Sequence, residues 1–235
     1  MSGHPEAPGG ACPHVIVEDV SAPVVRPDDR HHLERVVRLR VGDPLSVTDG
    51  AGAWRWCRFG PELTIDGEIE CVAFPTSPIT IAFALVKGQK PELVVQKLTE
   101  LGVDEIIPFV ADRSVVRWDE ERSRRNTDRL RRIAAEASMQ SRRVWLPMVR
   151  EITTFDSLMA EGGFVIADRD GELPSAKTSS VMIGPEGGWS DSERERFSEV
   201  VRLGSGVLRA ETAAFAAASI MSALRSGLVE AVQEP

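Results

Sequence analysis

Residues 79–86 read Ile-Thr-Ile-Ala-Phe-Ala-Leu-Val, a nearly continuous apolar run of strand length. A strand with no polar face belongs in a parallel sheet covered on both sides. Pro91 suits the first turn of a helix that follows at once; Leu93, Val94, Leu98 and Leu101 share its face, and Gly102 stops it. Residues 103–110 form the next strand, so 79–110 has the length and order of a βαβ unit. The alternation continues with an Arg-rich helix over 126–140, a helix over 153–161 and strands over 163–168 and 180–183. A helix over 191–200, a short strand over 200–203 and a final helix over 212–226 complete it. The expected class for residues 79–235 is therefore α/β.

The first part of the chain has a different period. Residues 14–17 read as a strand, and Asp28 is placed to cap a helix carrying Leu33, Val36, Val37 and Leu39. Around the turn signal Asp49-Gly50, residues Trp54, Trp56 and Arg58 alternate with Arg55, Cys57 and Phe59, as in a hairpin. Short strands over 63–65 and 68–74 would complete a β-rich domain over residues 1–74, with 1–13 a disordered Gly/Pro-rich leader. Pro75-Thr76-Ser77-Pro78 is the expected linker.

With 42% hydrophobic and 27% charged residues the chain is neither disordered nor collagenous. The first 20 residues hold no apolar signal-like core, and the apolar stretch 213–224 is too short to span a bilayer, so a cytoplasmic protein without a membrane partner is expected. Cys12, Cys57 and Cys71 lack CxxC spacing and are expected to be reduced thiols; His4, Cys12 and His14 are not expected to hold a metal.

The net charge of −8 argues against a nucleic-acid partner until it is sorted by position. Residues 111–150 hold eleven Arg and six acidic residues, a balance of +5, and the remainder carries −13. At a Debye length of about 8–10 Å a local basic patch dominates at contact. An i, i+4 pair of Asp128 with Arg132 accounts for part of the run, but not for Arg142-Arg143. His31, His32, Arg35, Arg38 and Arg40 form a smaller basic group. Trp54 or Trp56 could stack a base, or simply fill the core.

Two loops carry the chemistry. Gly184-Pro185-Glu186-Gly187-Gly188 follows the apolar strand ending at Ile183, and Ser190 with Glu193 makes a capping box just beyond it. Strand, glycine loop and helix start is where open α/β sheets bind ligands. The spacing is that of neither a P-loop nor GxGxxG. Glu186 would repel a phosphate and suits a cationic ligand such as the sulfonium S-adenosylmethionine; alternatively it complements the following helix dipole. The second loop, Leu203-Gly204-Ser205-Gly206-Val207-Leu208-Arg209, leads to Glu211 and an apolar helix rich in small residues, which must be covered on several faces or form a subunit interface. Arg209 and Glu211 stand at its mouth, as a site pair or as a structural ion pair.

The blocks HHLERVVRLRVGD, ALVKGQK, QKLTELGVDEIIPFVADRSV, EASMQSRR, IGPEGGWSDSE and LGSGVLRAETA resemble, in order, the 16S ribosomal RNA (uracil-N3)-methyltransferases of the SPOUT class. The resemblance implies an N-terminal PUA-like β-barrel, a C-terminal SPOUT α/β domain with a trefoil knot, S-adenosyl-L-methionine as cofactor, 16S rRNA or the small ribosomal subunit as partner, and a homodimer. Cofactor contacts would come from Ile183, Gly184, Pro185, Glu186, Gly187, Gly188, Leu203, Gly204, Val207, Leu208, Arg209 and Ala213. RNA contacts would come from His31, Arg38, Arg113, Gln140, Arg142 and Arg143. Arg209 and Glu211 are the expected catalytic pair, Glu211 as base at uracil N3. The chain departs from the family in Ser205-Gly206, where Pro is usual, and in Pro13-His14, where an early Arg is usual. The competing classes are a non-catalytic RNA-binding protein and a SPOUT methyltransferase acting on another RNA.

Overall fold

The computed structural model describes residues 8–9, 12–86, 90–116 and 118–230. His4, Arg117, the Lys87-Gly88-Gln89 part of ALVKGQK and much of the leader lie outside them. The chain divides into two units, residues 1–75 with 135–146, and residues 76–134 with 147–235.

The first unit contains β1 (His14–Ile16), α1 (Pro27–His32), a π turn (Leu33–Val37), β2 (Pro44–Thr48), β3 (Ala53–Arg58), β4 (Thr64–Ile65) and β5 (Glu70–Cys71). β1 pairs parallel with β2, β2 antiparallel with β3, and both β4 and β5 antiparallel with β3. Val15, Val17, Leu33, Leu45, Val47, Cys57 and Phe59 form the core. Asp28 is not the helix cap. Pro27, with φ already fixed, takes the first turn behind Arg26, and Asp28 and Asp29 fall where acidic groups favour the helix dipole.

The hairpin buries more than strict alternation predicts. Arg55 is buried, and its guanidinium donates to the Gly67 and Val20 carbonyls. Trp54 is core and meets Trp56 edge-on, which removes Trp54 as a base platform. Residues 142–146, beyond the Arg-rich helix, return to this unit. Leu146 N–H donates to Gly50 O, Gly52 N–H to Val144 O, and the Trp145 indole to Val72 O.

His14 lies inside this unit. Its Nδ1 pairs with the Ser46 hydroxyl at 2.8 Å and its Nε2 donates to Arg143 O at 3.2 Å. Burial pushes its pKa down from 6.5 to about 4. Because the folded pKa lies below the unfolded one, the stability His14 contributes is complete above pH 6.5 and is lost as pH falls toward 4. We expect a loss of about 2 kcal/mol at pH 5 relative to pH 8. Denaturation midpoints across that range check it, and His14→Gln should flatten the slope.

The second unit carries β6 (Thr80–Ala84), α2 (Lys90–Glu100), β7 (Glu105–Val110), the first part of α3 (Glu120–Ser141), β8 (Met148–Val149), β9 (Thr153–Thr154) and α4 (Phe155–Glu161). β10 (Val165–Glu172), β11 (Ser180–Ile183), α5 (Asp191–Arg194), β12 (Val200–Val201) and α6 (Ala210–Arg225) follow. The seven strands form one parallel sheet in the order β12-β10-β11-β6-β7-β8, with β9 also on β7. Ile81 and Phe83 of β6 face the cluster with α2 and α6, whereas Ala82 and Ala84 face Phe155, Leu158 and Trp189. Both faces are thus buried, as the apolar run at 79–86 demands.

Three expectations need correction here. α3 starts at Glu120, not 126, with Arg122 N–H donating to Asp119 in the opening turn. α5 ends at Arg194, because Phe197 turns inward against Phe155 and Trp189. α6 is buried along one face, Ala214, Ala217, Ala218 and Met221, while Ala216, Ile220 and Leu224 stay half-buried. Among the described residues no helix is long and apolar enough to cross a membrane.

Candidate functional site

The carboxyl ends of β11 and β12, residues 167–170 within β10 and the first turns of α2 and α6 border a cleft of about 720 Å³ within the second unit. From β11 comes Gly184 to Gly188. The capping box closes it as expected: Ser190 Oγ accepts from Glu193 N–H, and the Glu193 carboxylate accepts from Ser190 N–H at 2.9 Å. Glu193 is almost fully buried, and its other oxygen accepts from Asp112 N–H at 2.8 Å. One carboxylate therefore ties the loop after β7 to the loop after β11.

Trp189 holds the glycine loop from beneath. Its indole donates to Ala167 O at 3.2 Å, and its ring stacks on Phe109 and touches Phe155 and Phe197. A Cβ on Gly184 would lie 2.9 Å from this ring, closer than packed carbons approach, so the close contact requires glycine.

Of the residues expected at the cofactor, Ile183, Gly184, Pro185, Glu186, Gly188, Leu203, Gly204, Val207, Leu208, Arg209 and Ala213 line the cleft. Gly187 does not; its carbonyl accepts from Arg113 Nη1 at 3.3 Å. Glu211 is not a lining residue either. It sits in the first turn of α6 with Oε1 3.3 Å from Lys90 Nζ, and among the described residues its buried Oε2 has no hydrogen-bond partner. Lys90 does line the cleft and also pairs with Glu186. Glu186 is thus engaged by a lysine, while the dipole of α5 is met by Asp191 and Glu193. These carboxylates hold the Lys90 ammonium above its ordinary pKa, the Glu186 hydrogen bond contributing most.

Sequence reasoning assigned no role to Lys90, nor to Asp168, Arg169, Asp170, Arg194 and Arg202, which also line the cleft. The pairing of β10 with β12 shifts register between Ala167 and Glu172, and Asp168 to Asp170 lie within that irregular stretch. Arg194 pairs with both aspartates.

The RNA candidates fall in different units. Arg113, exposed, belongs to the second. In the first, His31 is exposed on α1, Arg38 follows the π turn in a left-handed conformation (φ 62°), and Gln140 is exposed near the end of α3. Arg142 is also left-handed (φ 58°), whereas Arg143 is half-buried with its Nε donating to Trp145 O. Buried His14 makes no substitute for the family's early Arg. The basic run is partly neutralised: Arg124 pairs with Glu120, Arg129 with Glu92, and Arg131 with Glu151. Asp128 pairs with Arg131, three residues on, rather than with Arg132.

Residues 73–222 match the RNA methyltransferase domain family. The ribosomal RNA small subunit methyltransferase E of Mycobacterium bovis is 31% identical over 86% of this chain and 87% of its own length. Its Bacillus subtilis namesake is 28% identical over 88% of this chain and 91% of that protein. The crystal structure of the Neisseria gonorrhoeae enzyme of the same name, bound to S-adenosyl methionine, aligns with a TM-score of 0.73 at 25% identity, over 91% of this chain and 98% of that one. The chain belongs to the ribosomal RNA small subunit methyltransferase E family, its RNA methyltransferase domain spanning residues 73–222.

Proposed function

We propose that this chain methylates N3 of a uridine in the RNA of the small ribosomal subunit, with S-adenosyl-L-methionine as methyl donor. The observation that carries this reading is the cleft where two glycine loops meet at the carboxyl ends of a parallel sheet, in a chain that is kin over its length to enzymes of that name. The lining fits the cofactor. Ile183, Leu203, Leu208 and Ala213 offer an apolar wall for a purine, and Gly184, Gly188 and Gly204 expose backbone.

When bound, the cofactor supplies an electrophilic methyl on a sulfonium and leaves as the neutral thioether. N3–H of uracil must lose its proton as the N–C bond forms, so the chain must take that proton and stabilise charge on the flanking carbonyl oxygens. Glu211, whose Oε1 lies 3.3 Å from the cleft-lining Lys90, is the proposed base, and Arg209, which lines the cleft, is the proposed partner of the carbonyls. His31, Arg38, Gln140, Arg142 and Arg143 of the first unit, with Arg113 of the second, are the proposed RNA contacts.

The reading includes a PUA-like barrel over residues 1–74, a knotted SPOUT domain over 79–235, a cytoplasmic location, and a homodimer using the half-buried apolar side of α6. Transfer of labelled methyl from S-adenosylmethionine to purified small subunits, and not to transfer RNA, is the expected result. Glu211→Gln and Arg209→Ala should each lower turnover at least tenfold. A protein that binds RNA but neither binds nor consumes the cofactor would replace this reading with a non-catalytic one.

A further inference from the structure

We propose that Arg38 and Arg142 are two RNA-phosphate contacts for which the first unit gives up stability, each arginine standing where its helix end favours glycine; this rests on the small-subunit RNA reading above. Among the described residues these two are the non-glycine positions with a left-handed φ, at 62° and 58°. Any side chain there costs conformational energy that glycine avoids.

The helix ends impose that conformation. Beyond α3, Arg142 N–H donates to Met139 O at 3.4 Å and Arg143 N–H to Ser138 O at 2.9 Å. These are the two bonds of a Schellman motif, with Arg142 at its left-handed position. His14 Nε2 donates to Arg143 O and holds the next peptide. After the π turn, Arg38 N–H and Leu39 N–H both donate to Leu33 O, a similar close opened by one residue. Leu39 and Met139 pack against the core cluster that contains Leu33, so both turns are tied to one core. Strain held in this way by its surroundings points to a use for the side chain.

Both guanidinium groups are available for that use. Among the described residues neither has an ion-pair or hydrogen-bond partner, whereas Arg26, Arg30, Arg55 and Arg58 of the same unit are engaged by carboxylates or carbonyls. A guanidinium on a fixed turn can meet a phosphate with two parallel hydrogen bonds. RNA offers that group at every nucleotide, so the pair contributes affinity and register rather than the choice of uridine. An arginine kept only to oppose a helix dipole would have the opposite effect on stability.

The test is binding of small-subunit RNA to the full chain between roughly 50 and 200 mM salt, with stability measured in parallel. Arg38→Gly and Arg142→Gly should each raise Kd about fivefold and lower the slope of log Kd against log salt by about 0.7–0.9, the loss of one phosphate contact. Each should also raise Tm by about 2–4 °C and slow hydrogen exchange at the cap amide, Leu39 or Arg143 respectively. Asn, which tolerates the left-handed region without the charge, should act in the same direction. Lys keeps both charge and strain, so binding should weaken by less than about threefold with Tm unchanged. The Kd for S-adenosylmethionine should stay within about twofold throughout. Unchanged RNA binding in the Gly variants, or weaker binding together with a lower Tm as a structural arginine would give, overturns the proposal and leaves the RNA reading standing. Wild-type protein that does not bind small-subunit RNA at micromolar concentration would instead overturn that reading, and this proposal with it.

Discussion

Gly184→Ala is expected to lower stability by about 1–3 kcal/mol and to weaken S-adenosylmethionine binding by tenfold or more. The added methyl would sit 2.9 Å from Cε2 and 3.1 Å from Nε1 of Trp189. The ring cannot yield cheaply, because it is packed against Phe109, Phe155 and Phe197 and its indole is bonded to Ala167 O. The loop must move instead, and Gly184 forms part of the cleft wall. Gly204→Ala is the comparison. Its new Cβ would meet only Leu208 at an ordinary 3.7 Å, so stability should change by less than about 0.5 kcal/mol. Urea midpoints read the stability and calorimetry reads the affinity. Equal stability in the two variants would show that the Trp189 contact does not constrain the loop.

Glu193→Ala should cost about 2–4 kcal/mol, among the largest effects of any single substitution outside the apolar core. The side chain is 2% exposed, and its two oxygens accept from Asp112 N–H and Ser190 N–H. Truncation leaves two backbone donors without their acceptor and unties the loop after β7 from the loop after β11. Arg113 sits on the first of these loops and bonds Gly187 on the second, so its presentation depends on that tie. Glu193→Gln keeps one acceptor oxygen and should lose roughly half as much. Hydrogen exchange at Asp112 and Ser190 should accelerate in Glu193→Ala. A midpoint within 0.5 kcal/mol of wild type would contradict the account.

The parts of this molecule that were legible in the sequence are those governed by local rules. The run at 79–86 announced a strand buried on both faces because no alternation left a side for water. Ser190 and Glu193 announced a helix start to the residue, because a capping box is a contact three residues long. The helix stop was less legible: the periodicity carried on to 200, but Phe197 is drawn inward by Phe155 and Trp189, partners remote in sequence.

Lys90 was illegible for the same reason. Glu186 stands 96 residues away, and nothing near Lys90 hints at either carboxylate. Residues 135–146 read as the tail of an Arg-rich helix, yet they belong to the first unit, where Val144 and Leu146 pair with Gly52 and Gly50. The charge map was informative about the class of partner but blurred in detail. Arg124, Arg129 and Arg131 are spent on acidic neighbours, and Arg143 on a backbone carbonyl.

The central claim is methylation of uridine N3 in the small-subunit RNA, and nucleoside mass spectrometry tests it most directly. Small-subunit RNA from cells lacking this chain should be missing one 3-methyluridine, restored by the wild-type chain and poorly by Gly184→Ala. Unchanged 3-methyluridine, or loss of a different methylated nucleoside, would contradict the account.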